Sequence, residues 1–174
     1  PDVLREQRET MESVDVAGLR REGIENAVVA RMGRLRASGI DGLWIHLDVD
    51  VLDPGLMPAV DCPEPGGLLA DELVQVLDLA CATGQVAGMH VTIYDPERDP
   101  DQRCGRVLVD ILARGLARLE PGFARVISSP WVRARHTAEI ARAALALESP
   151  VEILAALAPG GDPDLVIRCV RRTR

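Results

Sequence analysis

Trp44-Ile-His-Leu-Asp-Val-Asp-Val-Leu-Asp-Pro54 is a short apolar run that ends in carboxylates and then breaks at Asp53-Pro54. Its length and its aliphatic residues predict a strand. Side chains alternate along a strand, so Asp48 and Asp50 are expected on one face, at its carboxyl end. That end is where open α/β sheets carry their ligands. Two carboxylates side by side repel unless a cation or a shared proton neutralises them. Spacing alone leaves two readings open: a divalent-metal site on Asp48 and Asp50, or an aspartate pair that caps the next segment.

Working outward, Ala27, Val28, Met32 and Leu35 recur at helical spacing between Glu25 and Ala37, and Ser38-Gly39 ends that helix before the strand. Residues 1–25 are highly charged and contain Gly18 and Gly23, which fits an exposed, partly helical lead-in. After Pro54, the Pro- and Gly-rich run from Gly55 to Gly67 can be neither helix nor central strand. Its apolar residues Leu56, Met57 and Val60 need somewhere to pack, so a rigid loop over the strand end is expected. Leu69 to Thr83 reads as a helix with Leu73, Val76, Leu77 and Ala80 on one face and Asp71-Glu72 near its start. Gln85 to Tyr94 is a second strand, ending at Asp95-Pro96. A helix from Arg103 to Leu119 follows, striped by Val107, Leu108, Ile111, Leu112 and Leu116. This order predicts an α/β fold, a parallel sheet flanked by helices.

A second unit is expected after Pro121-Gly122: a strand over residues 124–128, a helix to Leu147, a short strand from Val151 to Leu154 and a final helix. The chain therefore divides at about residue 120 into a larger domain (1–119) and a small α/β segment (120–174).

Composition narrows the function classes. Aromatic residues are 2% of the chain, so Ala, Leu and Val must fill the core. All the side-chain positive charge except histidine is arginine, and the net charge of −7 argues against a sequence-independent nucleic-acid surface. No apolar run approaches the ~20 residues of a membrane span, and no signal-peptide pattern opens the chain. The scattered Cys62, Cys81, Cys104 and Cys169 form no Cys-x-x-Cys pair, which fits reduced thiols in a cytoplasmic protein. Pro1 in place of Met predicts a fragment or an incomplete reading frame.

Up to about residue 119 the chain resembles the C-terminal part of the arginase/agmatinase (ureohydrolase) family. The resemblance rests on His46-Leu-Asp-Val-Asp-Val-Leu-Asp-Pro54, on Pro58-Ala59 and Pro63-Glu-Pro-Gly-Gly-Leu68, and on the second strand with Asp95-Pro96. It implies a truncated three-layer arginase-like fold and a pair of Mn²⁺ ions whose shared hydroxide attacks a guanidinium carbon. By position, Asp48 matches the carboxylate that bridges both ions and Asp50 the one bound to a single ion. The family draws its other ligands from a Gly-Gly-Asp-His and an Asp-x-His-x-Asp motif, and this sequence contains neither. His46 and His90 read as strand histidines, with core packing the default. Ile93 stands where guanidinium-cleaving members carry a glutamate, and an isoleucine cannot form a charge-assisted pair with a guanidinium.

From about residue 122, Val126-Ile-Ser-Ser-Pro-Trp-Val-Arg-Ala-Arg-His-Thr-Ala138, Val151-Glu-Ile-Leu and Leu157-Ala-Pro-Gly-Gly-Asp162 look like the phosphohistidine phosphatase branch of the histidine phosphatase superfamily. That resemblance implies a phosphate-binding role for Arg133, whose planar guanidinium suits a phosphoryl group; a solvated helix residue is the alternative. The Arg-His-Gly motif of the nucleophile is absent from the sequence.

Three outcomes remain. The first is a metal-dependent hydrolase of the C–N bond of a small guanidino or amidino compound, with a partial manganese site inactive by itself and no catalytic residue assigned. The second is a phosphate-binding segment. The third is a non-catalytic fusion or truncation product whose unpaired sheet edges favour homo-oligomers or aggregation.

Overall fold

A computed structural model describes residues 12–119 and 123–171. The first part of the charged lead-in (1–11) and the Pro121-Gly122 junction lie outside the described residues. The elements run α1 (Val16–Glu22), α2 (Ile24–Ala37), β1 (Leu43–Asp48), α3 (Ala70–Cys81), β2 (Val86–Thr92), α4 (Arg103–Gly115), β3 (Ile127–Ser128), α5 (Val132–Ala144), β4 (Glu152–Ile153) and α6 (Pro163–Arg171). Strands β1 and β2 pair in parallel, as do β3 and β4, in two separate two-stranded sheets. The α/β class expected from the sequence is the class observed.

One face of the β1–β2 pair is core. Ile45, Leu47, Met89 and Val91 join a cluster with Leu73 and Leu77 of α3 and Leu108, Ile111 and Leu112 of α4. Helices α3 and α4 approach closely because Gly115 lies against Leu77; a Cβ at 115 would sit 2.8 Å from the Cβ of Leu77. Helix α2 buries Ala27 and Val28, but Leu35 remains 40% exposed, so its apolar stripe is shorter than the spacing suggests. At α3, Glu72 accepts from the backbone N–H of Leu69 (2.8 Å), one arm of a capping box. The same carboxylate pairs with both Arg20 Nε and Nη2, each at 2.7 Å, and Arg20 Nη2 also donates to the Gly67 carbonyl. That guanidinium bond, set against burial, holds the Glu72 carboxyl down at about 2. Helix α1 is thereby tied to the start of α3 and to the end of the long loop.

The Pro- and Gly-rich loop is as ordered as its apolar residues demand. Met57, Ala59 and Val60 are fully buried. Its two ends meet: Leu52 and Leu68 form a parallel bridge, with Leu68 N–H donating to Val51 O (2.8 Å) and Asp53 N–H to Leu68 O (3.0 Å). The carboxylate of Asp53 then accepts from Gly55 N (2.9 Å) and Gly66 N (3.1 Å). A Cβ at Gly67 would meet Asp53 N and the Leu52 carbonyl carbon at 2.5 Å, so this closure requires glycine.

The other face of β1–β2 is open. Trp44 is 49% exposed and lies flat over Gly88, leaving no room there for a Cβ. Trp44 Nε1–H donates to His90 Nδ1 (2.6 Å), and His90 Nε2 meets His46 Nδ1. The histidines expected in the core by default thus form an exposed ladder across the two strands. With its Nδ1 accepting, neutral His90 carries its proton on Nε2 and donates to His46. Protonating His90 puts a second N–H against the indole donor, so the ladder favours the neutral ring.

The C-terminal segment is held by arginine. Arg125 makes a two-point pair with Glu152 (2.6 and 2.5 Å) and donates to the Cys169 carbonyl (3.1 Å), linking the approach to β3 with β4 and α6. Helix α5 packs on α4, where Ile140, Ala141, Ala144 and Leu145 extend the main core.

Two outcomes follow. Gly67→Ala forces the Asp53–Leu68 closure apart, and we expect a loss of roughly 1–3 kcal/mol in urea unfolding. Burial and the neighbouring His46 lower the pKa of His90 below its ordinary 6.5. The unfolded chain therefore binds that proton more readily, and the stability from this ring is present above about pH 6.5 and lost as pH falls through the folded-state value. Replacing His90 with glutamine should flatten the drop in Tm between about pH 7 and pH 5; an unchanged drop would assign it elsewhere.

Candidate metal centre at the strand end

The candidate ligands arise where β1 stops. The strand ends at Asp48, and Val49–Val51 form a single 3₁₀ turn. This corrects the strand geometry expected for Asp48 and Asp50: Asp50 is not two steps further along the same strand. The turn, helped by burial of Val49 and Leu52 into the core, folds Asp50 back towards Asp48. The two carboxylates remain neighbours by a different route. Burial first, and then the charge and hydrogen bond of Asp48, raise the pKa of Asp50. Asp61, on the long loop, adds a smaller push in the same direction.

Asp48 Oδ1 is buried without a hydrogen-bond partner. So is the hydroxyl of Thr92, which lies directly opposite Asp48 in the β1–β2 register. Buried oxygens without donors are costly in a folded protein and call for a proton or a cation. Hard carboxylate oxygens suit Mn²⁺. The donor set nevertheless stops short of a shell: among the described residues no group of three or more His, Cys, Asp or Glu side chains is placed to hold a metal ion. Asp53, the third aspartate of the motif, closes the loop through its two amide donors.

The neighbouring end of β2 is shaped by buried polar groups. Ile93 has φ +74°, a conformation that costs a β-branched residue. The chain then turns through Tyr94, whose hydroxyl donates to Asp99 (2.8 Å). Asp99 also accepts from Cys104 N (3.0 Å) and Gly105 N (2.7 Å), supplying the start of α4. Burial pushes the Asp99 carboxyl up, but these donors outweigh it and the net shift is downward. His136 lines a groove of about 510 Å³ with Asp99, Gln102, Arg106 and Glu139.

Asp95 is buried, and its amide donates to Ala59 O (2.9 Å), stitching β2 to the long loop. Arg98 donates to Val60 O (2.8 Å) and pairs with Asp95 at 3.4 Å. Arg133 reaches the same place from α5: its Nη1 lies 3.5 Å from both Asp61 Oδ1 and Asp95 Oδ2. The guanidinium singled out for phosphate therefore faces two carboxylates. Sequence reading missed Thr92 and Asp61. Thr92 becomes visible only once the strand register is known, and Asp61 only once the loop is folded.

A parallel strand pair with helices packed on one face and carboxylates at the carboxyl end of its first strand is the frame of an α/β protein with a ligand site at its strand ends. The model of the arginase family matches residues 2–117, and the chain belongs to that family. Among curated relatives it is 35% identical over 79 residues to the mitochondrial arginase of Medicago truncatula, covering 45% of this chain and 23% of that one. It is 42% identical over 89 residues to the N(1)-aminopropylagmatine ureohydrolase of Thermus thermophilus, covering 51% and 30%. The crystal structure of formimidoylglutamase from Bacillus subtilis superposes with a TM-score of 0.62 at 21% identity, over 70% of this chain and 38% of that one. The chain thus spans between 23% and 30% of the length of these two curated relatives.

The strain at Ile93 makes a distinct expectation. Ile93→Ala keeps only the β-carbon of the side chain and Ile93→Gly none of it, but only glycine tolerates φ +74°. We expect the glycine variant to be the more stable by about 1 kcal/mol, the reverse of the usual strand order. Thermal unfolding of the pair reads this directly.

Proposed function

We propose that residues 1–119 carry the strand-end part of an arginase-type hydrolase site, in which Asp48 and Asp50 hold manganese. The observation that carries this reading is the partnerless Oδ1 of Asp48 beside the raised carboxyl of Asp50. When bound, manganese supplies a hydroxide at neutral pH for attack on a C–N carbon. The chain's own contribution is to fix two carboxylates, with Thr92 opposite, at the end of a strand pair. The substrate class is a small guanidino or amidino compound, in keeping with relatives named as an arginase and an aminopropylagmatine ureohydrolase. Ile93 removes the negative charge the family uses against a guanidinium, which favours a substrate other than arginine or agmatine.

We also propose a division near residue 120, with the smaller segment a histidine-phosphatase-like unit. In support, the family match ends at 117 and β3–β4 form their own sheet. No helix among the described residues is long and apolar enough to cross a membrane.

Two carboxylates make a partial shell, so this chain alone should bind Mn²⁺ weakly and turn over negligibly. Titration followed by EPR or calorimetry should show a single weak site, lost in Asp48→Asn and in Asp50→Asn. Tight binding of two ions, or urea released from arginine or agmatine, would show that further ligands have been overlooked.

A further inference from the structure

Helix α5 begins Val132-Arg133-Ala134-Arg135 and has no acidic residue in its first turn. A helix N-terminus carries partial positive charge and ordinarily attracts acids there. Here two arginines add to that charge, which disfavours the helix unless anions come from elsewhere. They come from the arginase-like part: Arg133 Nη1 lies 3.5 Å from Asp61 on the long loop and 3.5 Å from Asp95 at the end of β2. The Asp95 side chain is only 10% exposed, so solvent screens this pair less than a surface pair. Asp61 in turn is near enough to Asp50 for its charge to bear on that carboxyl. Arg133 thus offsets one of the like charges that bear on the strand end.

We propose that α5 is a strap: Arg133 is an internal guanidinium that fastens the C-terminal segment over the strand end and competes with cations drawn to its carboxylates. The strap is independent of the metal assignment; the competition rests on the proposed function of Asp48 and Asp50. A phosphate ligand on Arg133 has to displace two carboxylates first. The arrangement also explains why Arg133 occupies a helix end where its charge is locally unfavourable.

The local and strap roles differ in sign. If Arg133 acts only within α5, Arg133→Gln removes an unfavourable dipole contact, and the hydrogen-bonded amides of residues 135–138 exchange more slowly. If it is a strap, those amides exchange faster, by severalfold, and Asp61→Asn reproduces the effect. Arg135→Gln serves as the control for charge at the same helix end, with slower or unchanged exchange. On the full chain, Mn²⁺ titration by EPR should show binding tightened roughly threefold in Arg133→Gln, as expected for removing one unit charge at a partly exposed site. Unchanged or slower exchange in Arg133→Gln overturns the strap. Faster exchange with unaltered Mn²⁺ affinity overturns the competition. No Mn²⁺ on either protein overturns the metal reading of Asp48 and Asp50 together with the competition, and the exchange rates then decide the strap alone.

Discussion

The strand end exists because the chain returns to one residue. Asp53 donates its amide to Leu68 and receives Gly55 and Gly66 on its carboxylate, so a loop of a dozen residues opens and closes at the same point. Closing such a loop costs entropy that grows only slowly with length, and the burial of Met57, Ala59 and Val60 offsets it. The contacts around the strand end depend on this closure. It fixes Ala59 O for the amide of Asp95, Val60 O for Arg98, and Asp61 within electrostatic reach of Asp50. Without Gly67 the backbones of 52–53 and 67 could not approach, and Asp61 would have no defined place.

That geometry concentrates negative charge. Asp48, Asp50, Asp61 and Asp95 all gather at the carboxyl ends of β1 and β2, and the chain answers with arginines from outside the two strands. Arg98 arrives on the 3₁₀ turn after β2 and Arg133 on α5, more than 70 residues beyond Asp61. Both guanidiniums address Asp61 and Asp95 and leave Asp48 Oδ1 without a partner. The cluster is therefore half neutralised, on the side away from the motif that defines the family.

The motif around Asp48 made the fold class and the candidate ligands legible, because Asp-x-Asp-x-x-Asp-Pro at a strand end combines chemistry with a chain break. The loop's burial was legible too, since Met57 and Val60 had to pack somewhere. Register was not. Nothing local says that Thr92 faces Asp48, or that Trp44 lies over Gly88 and joins His90 and His46 in one ladder. The end of β1 was misplaced because Val49 and Val51 look like strand residues, whereas the 3₁₀ turn is set by tertiary burial of Val49 and Leu52. For Arg133 the motif suggests phosphate or a solvated helix face, and sequence does not reveal that α5 packs on α4 and brings this side chain to Asp61.

The carboxyl ends of the two strands also differ in what they can recognise. A guanidinium needs a planar array of anionic oxygens within hydrogen-bond reach. Position 93 supplies none, and its isoleucine is held at φ +74°, a conformation that packing of the surrounding core must sustain. Asp61 and Asp95 do supply such oxygens, a short step away, yet the chain's own Arg98 and Arg133 already address them. The carboxylates suited to a hard cation and those suited to a guanidinium are thus both present, but among the described residues only the second pair is matched by arginines. A guanidino group reaching Asp61 or Asp95 would have to displace an arginine to bind there.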